Sequence, residues 1–261
     1  MTTKTAEAVT SVKKTENEQL LQQTVEQLKN FKWVDLTHSF GPESPRFPAF
    51  AKPKFNTIST HADGFFVKEY TFPGQFGTHL DPPIHFDAHQ DTYVEDIPLK
   101  KFVLPLVVID RSKEASVNPD SSLSVADIKQ WEKKHGKIPE GSFVALRTDW
   151  GKRWPSQSKF ENLDDAGQAH YPGWDLDALK FIYEQRNVAA NGHETFDTDT
   201  ATKQENGLVG EYYVLSHGHY QVELLDNLDL VPATGAYIHI SVPKAEKAPG
   251  FPVRAYAVVP E

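Results

Sequence analysis

The sequence predicts an α/β fold in which strands form the core sheet and a mobile N-terminal arm precedes the body. Short β-branched or aromatic runs recur from Trp33 onward, each bounded by Pro, Gly or Asp, as is typical of strands. Two segments between these runs have helical start signals. The 18 Pro and 15 Gly are spread along the chain, which indicates many turns and long ordered loops.

The two best helix candidates lie between the strand-like runs. In SVADIKQWEKKH, Ser124 is the expected N-cap and Asp127 completes a capping-box-like pair with it. In DLDALKFIYEQR, Asp175 is the expected N-cap, and a weaker helical pattern covers residues 211–228. The runs expected to form strands are VDLTHSF, FNTIST, FFVKEYTF, FVLPLVVID, SFVALRTDW, AYIHISV and VRAYAVV.

The N-terminal segment differs from the rest of the chain. Residues 1–17 are polar and have no hydrophobic period, so they are expected to form a mobile tail. Residues 18–31 carry apolar side chains at helical spacing, which predicts a short amphipathic helix that packs on the body or on another subunit. The predicted organisation is therefore a tail and helical arm over residues 1–30 and a single domain over residues 31–261.

Composition and charge exclude several classes of function. The absence of Cys removes disulfides, thiolate metal sites and a Cys nucleophile, so any metal would have N and O ligands. A net charge of −9 disfavours binding to nucleic acid or to an anionic membrane, which leaves a small molecule as the expected partner. No Walker A, GxGxxG or GxSxG motif occurs. Without an apolar signal segment or membrane span, we expect a cytoplasmic location.

The segment FPGQFGTHLDPPIHFDAHQD concentrates ligand-type side chains. If Gln75 to Asp81 is a strand, then Gln75, His79 and Asp81 point to the same side, because side chains alternate along a strand. An amide, an imidazole and a carboxylate together suit Zn²⁺ or Mn²⁺. A bare HxD pair also occurs on many surface strands without a metal, but Gly-Thr before it and Pro-Pro after it favour the metal site.

The Pro82-Pro83 pair should end this strand, because proline cannot donate to the strand ladder. His85 would then stand beside the metal rather than in the row of ligands, as suits a base. A bound cation lowers the pKa of water from about 15.7 toward about 7, and a neighbouring imidazole can take the proton. The pattern therefore predicts metal-assisted hydrolysis, with His85 as the base.

The segment from Gln75 to Phe86 resembles the HxGTHxDxPxH motif of the cyclase-like metal-dependent hydrolases. This family includes bacterial kynurenine formamidases and isatin hydrolases. Further segments similar to the family extend the resemblance over about residues 33–260: DLTHSF, RTDW, HETFDTD, YQVELLDNLD and PGFPVRAYAVVP.

The resemblance implies a swivelling β/β/α-type fold with a β-barrel-like core sheet flanked by helices. It implies that His79 and Asp81 are metal ligands, that His85 is the catalytic acid/base, and that Gln75 stands where the family has a ligand His. Glu223 matches a Glu that some members use for a second metal. The implied activity is hydrolysis of an amide, an N-formyl amide, or a cyclic amide or lactone. The implied assembly is a homodimer or homotetramer with loops of a neighbour near the site.

Two positions depart from the family pattern. Gln75 replaces the first His of the motif, and a neutral amide oxygen is a weaker ligand than imidazole. Glu211 stands where two-metal members have a ligand His, twelve residues before Glu223. A carboxylate at position 211 could still bind a cation, so the number of metals stays open.

Other residues have both functional and structural interpretations. His193 is a candidate substrate contact, although a capped turn in HETFDTD explains it equally well. Phe47 and Trp174 are candidate walls of an aromatic pocket, although most large aromatic residues belong to the core. His217 and His219 fit a surface better than a metal site, and His89 and Asp91 fit a solvated loop.

Two other functions remain compatible with the sequence. A lyase or true cyclase would use the metal to polarise a carbonyl while His85 removes a proton from carbon, without consuming water. A small-molecule binder without catalysis is suggested by the departures at Gln75 and Glu211. Retention of His79, Asp81 and His85 argues against the non-catalytic binder.

Overall fold

The computed structural model describes residues 15–260, of which residues 204–206 are described by backbone alone. The described helices are α1 (Glu16–Leu28), α2 (Ser112–Val117), α3 (Val125–His135), α4 (Gln157–Glu161), α5 (Leu176–Arg186) and α6 (Val209–Ser216). The described strands are β1 (Lys32–Asp35), β2 (Lys54–Ser59), β3 (Val67–Thr71), β4 (His79–Asp81), β5 (Val103–Asp110), β6 (Ser122–Leu123), β7 (Phe143–Arg147), β8 (Gly173–Trp174), β9 (Ala190–His193), β10 (Tyr220–Glu223), β11 (Ala236–Ser241), β12 (Phe251–Pro252) and β13 (Arg254–Val259).

Nine strands form one strongly curled, half-barrel sheet in the order β1-β13-β11-β5-β7-β9-β10-β4-β12. The central strands β5, β7, β9 and β10 are parallel, and antiparallel pairs extend the sheet at both ends. Helices α3, α5 and α6 supply buried side chains to one apolar cluster with β5 and β7. The predicted α/β fold with a barrel-like sheet flanked by helices is confirmed, and each predicted strand run overlaps a strand.

The capping predictions have different outcomes in the two helices. Ser124 caps α3 as expected, since its side chain accepts from the Asp127 N–H and its own N–H donates to the Asp127 carboxylate at 2.9 Å. Asp175 occupies the N-cap position of α5 but makes no capping bond. Its carboxylate accepts instead from the Ser122 hydroxyl at 2.7 Å, which ties α5 to β6.

The predicted helical stretch over residues 211–228 is wrong in its second half. Helix α6 ends at Ser216, and the chain then turns at Gly218, whose φ of +78° lies in the left-handed region that glycine adopts readily. The segment that follows is β10, a fully buried strand between β9 and β4. A short apolar run such as this one is compatible with either a helix or a strand. Pairing with β9 on one side and β4 on the other stabilises the strand.

The predicted strand over Gln75–Asp81 is shorter than expected. Only His79–Asp81 pair in the sheet, because Gly77 takes a φ of +63° and the Phe40 ring packs closely against its backbone. The alternation of faces therefore does not reach Gln75. The break at Pro82-Pro83 is confirmed, since a 3₁₀ turn over Pro83–His85 follows β4 directly.

The N-terminal arm contains the predicted helix, which begins at Glu16 rather than Glu18 and has a capping box at Thr15. No residue of α1 is buried. The expected mobile tail falls mainly on residues 1–14, which lie outside the described residues, and the domain boundary near residue 30 stays a prediction. Within residues 15–260, every helix is too short or too polar to cross a lipid bilayer.

Candidate metal centre and active-site pocket

Two neighbouring strands bring the main candidate ligands together. Strands β4 and β10 are antiparallel, and their register places Glu223 directly opposite His79. The Nε2 atom of His79 lies 3.3 Å from Oδ2 of Asp81 and 3.4 Å from Oε2 of Glu223. All three side chains are nearly inaccessible to solvent. The residues that the sequence pattern and the resemblance single out therefore converge at one point.

The donor atoms at this point lack other partners. Nε2 of His79 and both carboxylate oxygens of Asp81 are buried without a well-oriented hydrogen bond. The other ring nitrogen of His79 is held by the Gly77 carbonyl at 2.8 Å, which leaves Nε2 as the ligand atom. Buried polar atoms are normally satisfied. The cluster therefore fits a cation with nitrogen and oxygen ligands.

The electrostatics of the cluster also favour a bound cation. Burial would lower the pKa of His79, but the carboxylates of Asp81 and Glu223 outweigh it and raise that pKa well above its usual value. Burial, followed by the charges of Glu223, Asp81 and Asp197, raises the pKa of Glu211 well above the range of an ordinary Glu. So many buried carboxylates repel one another unless a positive charge lies between them.

His85 and Glu211 form a second group that shares Asp81 with the first. Nε2 of His85 lies 4.0 Å from Oδ1 of Asp81 and 4.0 Å from Oε1 of Glu211. The carboxylates of Asp81 and Glu211 and the His85 ring offer atoms close enough to hold an ion. His85 is partly open to solvent while both carboxylates are buried. It is therefore the member of this group best placed to exchange a proton.

Gln75 reaches the same region from the bend before β4. Its Nε2 donates to the Pro249 carbonyl at 3.0 Å and lies 3.4 Å from Nδ1 of His85. Because a carbonyl only accepts, the amide nitrogen must face Pro249, and Oε1 is the atom left for another partner. The role of Gln75 as a metal ligand stays a prediction, and contact with the His85 ring is a second role that the geometry allows.

Gln221 is a site residue that the sequence interpretation missed. It lies on β10 opposite Asp81, and its Nε2 donates to Oε1 of both Glu211 and Glu223, at 3.0 and 2.9 Å. The Thr198 hydroxyl donates to its Oε1 at 2.5 Å and so fixes the orientation of the amide. The available signal was its position two residues before Glu223, on the same face of a strand.

The HETFDTD segment makes hydrogen bonds that position neighbouring parts of the site. The Asp199 carboxylate accepts from the N–H groups of Gly210 and Glu211 at the start of α6, which fixes the position of Glu211. Glu194 accepts from the N–H of Thr148 at 2.6 Å, and burial raises the pKa of Glu194 to about 7. These contacts join the carboxyl ends of β7 and β9 to α6.

The structure does not place His193 against a substrate. Its side chain is fully buried at the end of β9, and its Nε2 lies 3.3 Å from Oε1 of Glu223. His193 is not among the residues that line the cavity described below, and both of its ring nitrogens are buried without a well-oriented hydrogen bond. A substrate contact of His193 therefore stays a prediction.

A cavity of about 200 Å³ opens beside the cluster. Its walls combine aromatic rings with the candidate metal and acid/base residues: Arg46, Phe47, Phe50, Gln75, His79, His85, Phe86, Phe196, Asp197, Leu208, Glu211, Glu223 and Leu224. Phe47 is at the cavity as expected. Trp174 is not, since it is fully buried in the apolar cluster beneath α3 and α5. The prediction of Trp174 as a pocket wall is therefore corrected, because its side chain faces the helical layer.

Fold and site together define an α/β protein with a buried cluster of one histidine and two carboxylates beside an aromatic cavity. Residues 34–200 match the Cyclase family, described as "Putative cyclase". The chain belongs to this family, as the motif around His79 predicted.

Characterised relatives resemble most of the chain. An isatin hydrolase of Roseibium aggregatum is 34% identical over 245 residues, covering 87% of this chain and 92% of that protein. The structure of isatin hydrolase A from Labrenzia aggregata bound to benzyl benzoate has 32% identity and a TM-score of 0.85, covering 95% of this chain and 100% of that chain. An isatin hydrolase bound to the product analogue thioisatinate has 28% identity and a TM-score of 0.86 with the same coverage.

Proposed function

We propose that the protein is a metal-dependent hydrolase that cleaves a non-peptide C–N bond, with an aromatic cyclic amide as the favoured substrate. The observation that carries the proposal is the convergence of unpartnered ligand atoms of His79 and Asp81 beside His85, at an aromatic cavity. The 34% identity to an isatin hydrolase supports a cyclic amide over other substrates of this chemistry. Aryl N-formyl amides and lactones are the related alternatives.

The residues divide into ligands and a proton-transfer group. His79, Asp81 and Glu223 would hold a divalent cation, with Gln75 Oε1 or Glu211 completing the site. The nitrogen and oxygen donor set suits Mn²⁺ or Zn²⁺. When bound, such an ion supplies Lewis-acid activation of water and of a carbonyl oxygen. His85 takes the proton of the attacking water at its ring and returns it to the leaving nitrogen.

The cavity suits a small flat substrate. Its volume of about 200 Å³ is below the usual range for drug-sized ligands, so it would hold one or two fused rings. The rings of Phe47 and Phe50 lie 5.5 Å apart at one wall, and Phe86 and Phe196 are further apolar walls. Aromatic walls exclude water and favour stacking on a planar ring.

Hydrolysis with labelled water tests the proposal. With Mn²⁺- or Zn²⁺-loaded protein, we expect isatin or formanilide to be hydrolysed, with one oxygen-18 atom from labelled water in the carboxylate product, measured by mass spectrometry. An Asp81→Asn variant is the matched control and should not turn over. Consumption of substrate without formation of the carboxylate product, and without uptake of oxygen from water, would indicate a lyase or cyclase instead. Tight binding without turnover across a panel of amides would indicate a binding protein.

The same proposal includes a cytoplasmic homo-oligomer, dimer or tetramer, acting on a small molecule. Strands β2 and β3 pair only with each other in the described chain and form a hairpin that exposes large apolar side chains. Phe65 is 63% exposed, and Ile58, Phe66 and Tyr70 are also more than half exposed. Helix α1 has no buried residue although it carries Leu20, Leu21 and Val25. Clustered apolar exposure of this kind favours burial against a second copy.

Light scattering coupled to size-exclusion chromatography tests the assembly. The parent protein is expected to elute as a dimer or tetramer, and a Phe65→Ser/Phe66→Ser variant is expected to shift toward the monomer because it removes the apolar tip of the hairpin. Leu99→Ser is the control, since Leu99 is 83% exposed outside this hairpin. A parent that is monomeric at roughly 100 μM would contradict the proposal, since stable interfaces have Kd values far below this concentration.

A further inference from the structure

The cavity beside the metal cluster has one permanently charged cation in its wall. Arg46 lines the same cavity as His79 and His85, together with Phe47 and Phe50 from its own loop. The other charged residues of the wall are acidic, namely Asp197, Glu211 and Glu223. A single fixed cation in a wall of aromatic and acidic residues is a specific feature, because the few charged groups of a ligand pocket usually set the orientation and selectivity of the ligand.

The loop that carries Arg46 is held in place from across the chain. The Gln157 side chain at the start of α4 accepts from the Arg46 N–H at 2.9 Å and donates to the Arg46 carbonyl at 2.8 Å. The Arg46 Nε donates to the Phe50 carbonyl at 3.1 Å, which closes the loop on itself. Both the backbone and one edge of the guanidinium are therefore fixed before any ligand binds.

The other edge of the guanidinium has no partner in the described part of the chain. Among the residues that the structure describes, neither terminal nitrogen of Arg46 makes a hydrogen bond or an ion pair. The acidic residue on its own loop, Glu43, is occupied by Lys52 at 2.6 Å. A fixed guanidinium with a free pair of N–H donors matches the two oxygens of a carboxylate.

We propose that Arg46 makes the cavity selective for aromatic amides that carry a carboxylate away from the bond that is cleaved. The inference rests on the proposed hydrolase function of the same cavity. In the metal-loaded protein the bound cation would offset the carboxylates of Glu211 and Glu223, and Arg46 is the fixed cation of the wall that can pair with an anionic substrate. The aromatic rings then hold the body of the substrate while the guanidinium pairs with its carboxylate.

A pair of substrates that differ only in charge tests the proposal. Isatin-5-carboxylate and isatin-5-carboxamide have nearly the same shape, and kcat/KM for both is compared in the metal-loaded parent and in Arg46→Gln. We expect the parent to prefer the carboxylate by roughly tenfold to a hundredfold, as one charge-assisted pair allows. The preference should fall to near unity in Arg46→Gln and survive in part in Arg46→Lys.

The matched control is Lys52→Gln, which removes a cation from the same loop outside the cavity wall and should keep the preference. If Arg46→Gln keeps the preference, or slows both substrates equally, the inference is wrong while the hydrolase function stands. A third outcome is selective binding without hydrolysis. It is tested by equilibrium binding of both compounds to metal-loaded His85→Gln protein. A binding preference that depends on Arg46, without turnover by the parent, would support the inference and reject the hydrolase.

Discussion

Replacing His79 by Ala or Asp81 by Asn is expected to remove the tightly held metal ion and, with it, measurable hydrolysis. Each change deletes a buried ligand atom that has no other well-oriented partner. Loss of residues that merely orient a ligand costs about tenfold to a hundredfold in metal affinity, so loss of a ligand itself should cost more. The measurement is metal content by mass spectrometry after dialysis, together with kcat/KM for isatin.

The control for this prediction is His89→Ala. His89 is exposed in the loop after the motif and should keep both metal and activity. Thermal unfolding of the metal-free proteins checks that the variants fold, which is expected of Asp81→Asn because it removes a buried negative charge from a crowded acidic cluster. If the His79 and Asp81 variants retain as much metal as the parent, the ligand assignment is wrong.

The first half of the site could be predicted from sequence because its geometry is local. His79 and Asp81 are two residues apart on one strand, so the period of a strand brings them together. Pro82-Pro83 similarly predicts the end of the strand, which separates His85 from the ligands on β4. For Gln75 the same reasoning failed, because the left-handed backbone at Gly77 ends the alternation before it reaches that residue.

The second half of the site depends on strand pairing between distant segments. Glu223 reaches His79 only because β10 pairs with β4 in one particular register, and a shift by one residue would turn Glu223 away. Its assignment came from family resemblance and not from spacing. Gln221 was missed for the same reason, since only the register shows that it bridges Glu211 and Glu223.

Residue type alone is a poor predictor of whether a side chain lies in the core or at the cavity. Trp174 and Phe47 are both large aromatics near loops, yet one is in the core and the other borders the cavity. The difference arises because Trp174 lies on β8, where its side chain packs in the apolar cluster that includes buried side chains of α3 and α5. Arg46 has no motif around it, and its position depends on a clamp from Gln157, 111 residues away.

The second large effect is expected at His85. His85→Gln should retain the metal ion and lower kcat by about a hundredfold to ten-thousandfold, which is the usual contribution of general acid–base catalysis. The reason is geometric: His85 lies beyond the Pro-Pro break, borders the cavity, and is 4.0 Å from the Asp81 and Glu211 carboxylates rather than among the closest ligand atoms. Steady-state kinetics on isatin and metal content of the same preparation are measured together.

Glutamine keeps a polar group of similar reach at position 85 but cannot take up a proton near neutral pH, so packing changes little while proton transfer is lost. His89→Gln, four residues along the same segment, is the matched control and should leave kcat unchanged. Partial recovery of turnover on addition of free imidazole would identify proton transfer as the missing step. Loss of the metal in His85→Gln would instead make His85 a ligand, and an unchanged kcat would remove it from the reaction, leaving Glu211 as the nearest group able to exchange a proton.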